Sequence, residues 1–101
     1  MSGIGFDPDA RAEFLKAVEY YEECRKGLGR RFRDSVETQL EQIREMPFLY
    51  RVLHPPFRRC LLQTFPYSII FSIEPDSIVI IAVAHAKREP DYWHQRIEKH
   101  P

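Results

Sequence analysis

The sequence predicts an α+β domain in which a helical hairpin lies on an antiparallel sheet, in the order β-α-α-β-β-β with a short C-terminal helix or tail. Three observations carry this. The first half of the chain places apolar residues at the three-and-four spacing of amphipathic helices. The second half switches to short apolar runs rich in β-branched and aromatic residues. Glycine, proline and acidic turn residues punctuate the chain where the period changes. With 101 residues the chain has material for one core, so 1–101 is read as a single domain.

The elements follow in order. Ile4 to Phe6 can form a short edge strand. Asp7 can cap a helix whose first residue is Pro8, where a missing N–H costs nothing, with Asp9 favourable in the first turn. Phe14, Ala17, Val18, Tyr21 and Cys24 or Arg25 mark one face, and Gly27 and Gly29 supply a stop, so the first helix is expected over 8–26. Phe32, Val36, Leu40 and Ile43 repeat the period until Met46-Pro47, with Glu37, Glu41 and Arg44 on the opposite side. The stretch PFLYRVLHPP over 47–56 reads as the one linker, joining helices to sheet.

From Phe57 onward FRRCLLQTF, YSIIFSI and IVIIAVAH read as three consecutive strands of an antiparallel meander. Phe65-Pro66-Tyr67 makes a tight reversal or bulge, and Glu74-Pro75-Asp76-Ser77 a hairpin turn. The run 78–84 is apolar on both faces, which places it inside the sheet. Arg58 and Arg59 are adjacent and must point to opposite faces, so at most one lies under the helices. Pro90 stops the last strand, and 90–98 is expected to form a helical turn or helix.

Composition excludes several classes. Hydrophobic residues at 44% and charged residues at 30% exclude a disordered chain. The longest apolar run is far below the roughly 20 residues of a membrane span, and MSGIGFDPDA lacks the features of a signal peptide, so a cytoplasmic protein without a membrane partner is expected. Cys24 and Cys60 have no CxxC spacing; neither a disulfide framework nor a zinc site is indicated, no metal or cofactor is expected, and both read as reduced core residues. The formal charge is zero, with 15 basic and 15 acidic residues, but residues 1–50 hold 8 basic against 10 acidic and residues 51–101 hold 7 against 5. His54, His85, His94 and His100 are also all in the second half. This mild polarity points to a local cationic site and away from a broad polyanion-binding surface.

The order of elements resembles a known family when its residues are set out: Ala10-x-x-Glu13-Phe14 and Tyr20-Tyr21 in the first helix, Gly27-Leu28-Gly29-x-x-Phe32 between helices, Pro47, Arg58-Arg59, Phe65-Pro66-Tyr67, and His85-x-x-Arg88-x-Pro90-x-Tyr92-Trp93-x-x-Arg96. Together they look like the ParE and RelE toxin superfamily of type II toxin-antitoxin systems. The departure is at the front, where MSGIGF is shorter and richer in glycine than the family's usual first strand.

The resemblance implies two activities that differ in kind. RelE-like members cut messenger RNA on the ribosome and need groups that activate a 2′-hydroxyl, stabilise a phosphorane and protonate the leaving oxygen. ParE-like members poison DNA gyrase and need only a surface. For the nuclease, His85 would transfer protons, Arg58, Arg59 and Arg88 would hold phosphate, and Tyr92 would donate or stack. Set against that, His85 can simply end the strand with a local hydrogen bond, and an arginine of the pair can form an ion pair with Glu13 or Glu19. Trp93 and Tyr92 read either as an anchor for a partner or as packing of the C-terminal segment onto the sheet. Packing alone explains Tyr20-Tyr21.

Charge favours the ParE-like alternative, since the ribosome-dependent members tend to be strongly basic and this chain is neutral. The resemblance then implies a growth-inhibiting, plasmid-stabilising toxin that binds gyrase and blocks replication. Arg58, Arg59, His85, Arg88, Tyr92, Trp93 and Arg96 would be its partner-binding residues. An exposed sheet edge and a groove between sheet and helices invite a cognate antitoxin in a hetero-oligomer. The alternatives are a RelE-like mRNA endonuclease and a domain that keeps antitoxin binding without toxicity.

Overall fold

The computed structural model describes residues 3–99, with side chains described as far as residue 96; His100 lies outside them. Strand β1 (Gly3–Phe6) leads into helix α1 (Pro8–Cys24), helix α2 (Leu28–Glu45) and a single 3₁₀ turn (Pro47–Leu49). Strands β2 (Arg51–His54), β3 (Phe57–Leu61), β4 (Tyr67–Ile73) and β5 (Ser77–His85) follow, and a 3₁₀ segment (Tyr92–Lys99) closes the chain. The fold is the α+β architecture expected: two helices on one face of a five-stranded sheet, in the order β1-β5-β4-β3-β2.

Three features correct the sequence reading. The supposed linker holds both the 3₁₀ turn and an additional strand, β2, exposed at every position and flanked by prolines. The sheet is mixed, because β1 pairs parallel to β5 with Gly3 opposite Ser77. Cys24 is exposed at the end of α1, leaving only Cys60 in the core.

Local chemistry sets the helix boundaries. The Asp7 carboxylate accepts the Asp9 N–H at 2.8 Å, and Asp7 itself is buried. α1 ends two residues early because Arg25 adopts an extended conformation, and Gly27 then turns the chain at φ +87°. Gly29 does not stop a helix; it lies inside α2. A Cβ there would stand 2.5 Å from the Val18 carbonyl oxygen, so glycine is what lets α2 cross α1 this closely. Glu22 reaches across the turn to accept the N–H groups of Gly27 and Gly29, supplying α2 with the cap its own N-terminus lacks.

Two cores lie on the two sheet faces. Phe32, Val36 and Ile43 of α2 and Ala10 and Ala17 of α1 pack on Ile69, Phe71, Ile78, Ile80 and Val83. On the other face Phe57, Ile70, Ile81, Ala82 and Trp93 form a smaller cluster under the C-terminal 3₁₀ segment. A bulge makes this division possible. Ile70 pairs with Ala82 but Phe71 with Ile80, so Ile81 is an extra residue on β5, and it joins its neighbour Ala82 on the second face.

Candidate functional site

β1 ends where the Asp7 N–H bonds the Ile80 carbonyl, and beyond that point β5 has no strand on this side. The backbone groups exposed there are met by side chains. Glu13 Oε1 accepts the Val83 N–H at 2.9 Å, and Arg96 Nη1 donates to the Ile81 carbonyl at 2.9 Å. Glu13 also takes the Tyr92 hydroxyl at 2.5 Å and both terminal nitrogens of Arg96, at 3.0 and 2.9 Å. One carboxylate of α1 thus ties the bulged strand to the C-terminal segment.

Electrostatics follow from this packing. Burial, reinforced by the hydrogen bond and charge of Glu13, pushes the Tyr92 phenol far above its ordinary range. Burial opposes the Arg96 charge, but the hydrogen bonds and charge of Glu13 outweigh it and hold the guanidinium above its usual value. Arg88 lies over the Tyr92 ring with its guanidinium carbon 3.7 Å from the ring centre, and one of its nitrogens is 3.9 Å from Glu13.

The two adjacent arginines separate, while His85, Arg88, Tyr92 and Trp93 gather on one face. Arg58 lies on the helix-covered side and donates to the carbonyls of Phe48 at 3.4 Å and Tyr50 at 2.8 Å, clamping the 3₁₀ turn and making no bond to Glu13 or Glu19. Arg59 points to the other face, where it lines a cleft of about 200 Å³ together with His85, Arg88, Tyr92 and Trp93. His85 ends β5 edge-on to Tyr67, and its Nδ1 accepts the Lys87 N–H at 2.9 Å. That is the local hydrogen bond of the simpler reading. Trp93 is 3% exposed and packs edge-to-face on Phe57, while His94 stacks on His54.

Of the five residues of the nuclease reading, Arg59, His85, Arg88 and Tyr92 share the cleft, and Arg58 lies on the opposite face. The Nδ1 of His85 is occupied by the Lys87 N–H. Tyr92 and Arg96 are consumed by Glu13, and Arg58 by backbone carbonyls. Sequence reasoning missed the organiser of the site, Glu13, as the partner of Arg96, because 83 residues separate the two. Among the described residues no group of three or more His, Cys, Asp or Glu side chains is placed to hold a metal ion, and no helix is long and apolar enough to cross a membrane.

Comparison with known proteins gives a consistent result. The family model described as the ParE toxin of type II toxin-antitoxin systems, parDE, matches residues 4–90, which leaves Tyr92, Trp93 and Arg96 outside the match. A chain of the chromosomal ParDE system from P. aeruginosa superposes with a TM-score of 0.75 at 14% identity, covering 86% of this chain and 98% of that one. The isolated E. coli RelE toxin superposes with a TM-score of 0.65 at 17% identity, covering 98% of each chain. These two likenesses show a shared fold. No curated protein sequence matches the chain.

Proposed function

The chain belongs to the ParE toxin family of type II toxin-antitoxin systems, and from that membership we propose that it arrests bacterial growth by binding DNA gyrase and blocking replication, without cutting RNA. The observation that carries the choice is the state of His85. A ribosome-dependent nuclease needs an acceptor for the 2′-hydroxyl proton, and the one residue suited to that near neutrality has its Nδ1 occupied by the Lys87 N–H. A neutral chain also lacks the electrostatic drive to enter an RNA-walled site. The proposed partner surface is the part of the predicted set that lines the cleft, Arg59, His85, Arg88 and Tyr92, around the C-terminal segment that Trp93 anchors from beneath.

A cognate antitoxin is the second proposed partner, in a cytoplasmic hetero-oligomer that masks the toxin. Support comes from the family and from two exposed sheet edges, the four-residue strands β1 and β2, which offer unpaired backbone to an incoming segment. The test uses purified chain with purified gyrase and, separately, with translating ribosomes. Inhibited supercoiling or trapped cleaved DNA, with intact message, is the expected result. Message cleavage on the ribosome that His85→Ala abolishes would overturn the proposal and establish a nuclease.

A further inference from the structure

The sheet face away from the helices carries an anomaly at its β2–β3 end. Arg51 and Arg59 are directly opposite each other across the ladder, so two guanidinium groups share one face at neighbouring positions. Like charges in that arrangement destabilise a sheet. Among the described residues neither has a carboxylate within ion-pair distance, whereas the chain pairs Arg44, Arg88 and Arg96 with carboxylates elsewhere. The same face presents Leu53, 36% exposed, which falls at the β2 bulge and lines the cleft beside Arg59, and, two residues beyond Arg59, Leu61, 62% exposed. Arginine followed at i+2 by leucine is thus written twice, on adjacent strands.

We infer that this face is a docking surface for an acidic, extended polypeptide segment in which carboxylates and aliphatic side chains succeed each other at every second residue, along one face. The two-residue period of a strand-like ligand matches the period of the surface: carboxylates meet Arg51 and Arg59, while apolar side chains settle on Leu53, Leu61 and the floor of the adjoining cleft at Ile70 and Ala84. Charge complementarity selects an acidic occupant. A nucleic acid fits less well, because the exposed Leu53 and Leu61 that flank the arginines give a polypeptide's aliphatic side chains a seat and give a phosphate backbone nothing to pair with. The inference adds Arg51, Leu53 and Leu61 to the proposed partner surface. It rests on that reading only in taking the face as a binding face, and it names the chemistry of what binds.

The test is an amide-resonance titration of the purified chain with three probes: acetyl-Glu-Ser-Leu-Ser-Glu-Ser-Leu-amide, its lysine counterpart with Lys in place of Glu, and a short oligouridylate. Shifts at Arg51, Leu53, Arg59 and Ser68 with the acidic peptide alone are expected. The double variant Arg51→Glu with Arg59→Glu should bind that peptide about tenfold more weakly and acquire binding of the lysine peptide, a reversal that only a folded protein can show. Should the double variant not fold, Arg59→Gln and a salt titration of the unaltered chain take its place, with binding that weakens as ionic strength rises. Equal response to both peptides, stronger binding of the oligouridylate, salt-independent binding or shifts confined to another face would each overturn the inference. None of these measurements contains gyrase, so their failure is separable from failure of the supercoiling assay.

Discussion

Glu13 and Arg96 meet through two hydrogen bonds of 3.0 and 2.9 Å although 83 residues separate them. Both side chains are largely covered, at 16% and 13% exposure, and each also satisfies a backbone group of the bulged strand β5. Removing either partner strands the other charge and a β5 amide or carbonyl together. Glu13→Ala should therefore lower unfolding free energy by about 3 kcal/mol, read from urea denaturation. Glu13→Gln keeps an acceptor for the Val83 N–H and should cost about half as much. Equal stability of all three proteins would show that the network adds nothing.

Adjacent arginines should behave oppositely. Arg58→Ala removes both carbonyl bonds that hold the Pro47–Leu49 turn and should cost about 2 kcal/mol. Arg59→Ala removes one of two opposed charges and should leave stability unchanged or raise it by a few tenths of a kcal/mol. The same thermal or urea scan reads both, and a larger loss for Arg59→Ala would contradict the assignment of roles.

The two glycines at the start of α2 act by different means. At Gly27, alanine meets open space but must adopt φ +87°, costing about 1 kcal/mol. At Gly29, alanine drives a methyl group against the Val18 carbonyl, which belongs to helix backbone and cannot swing aside, so roughly 2–3 kcal/mol is expected. The order of the two midpoints in urea checks the distinction.

How far the sequence revealed this fold depends on what each signal had to compete with. Asp7-Pro8 fixes the start of α1 because capping is local chemistry, written in consecutive residues. β2 was invisible for the opposite reason: Arg51, Val52, Leu53 and His54 are all exposed and enclosed by prolines, so no alternation marks them. The bulge at Ile81 was hidden inside a uniformly apolar run, where one extra residue changes no pattern. The site residues themselves were readable as residue types. Their roles were not, since pairing between α1 and the C-terminal segment is a product of tertiary closure.

Each of the five tyrosines is held above its ordinary titration range. Burial is the main cause at Tyr21, Tyr50, Tyr67 and Tyr92, and a hydrogen bond with Cys24 at Tyr20. A phenol whose folded value is raised contributes stability that is complete below its unfolded value of 10.0 and is lost as pH climbs toward the folded value. Phenolate absorbance should therefore rise at higher pH in the native protein than in urea, and urea stability should begin to fall above pH 10.0. Superimposable native and denatured titration curves would refute this.

Thiol chemistry should be one-sided. Burial pushes the Cys60 thiol up to about 11, partly offset by a hydrogen bond with Tyr50, while Cys24 lies exposed on α1. Iodoacetamide at neutral pH should label Cys24 alone in the native chain and both cysteines in urea, as peptide mass mapping will report. Native labelling of Cys60 would mean that this part of the core opens readily.

The pairing of β1 with β5 has a consequence for how the chain is made. Among the described residues the first strand pairs with β5 alone, and Glu13 finds partners at positions 83, 92 and 96. During synthesis α1 and α2 emerge and can pair while the surface they must cover does not yet exist. The sheet edge at β1 and the clasp on Glu13 close only after residues 77–96 have left the ribosome. Until then the nascent chain is a pair of helices with an unclaimed apolar face.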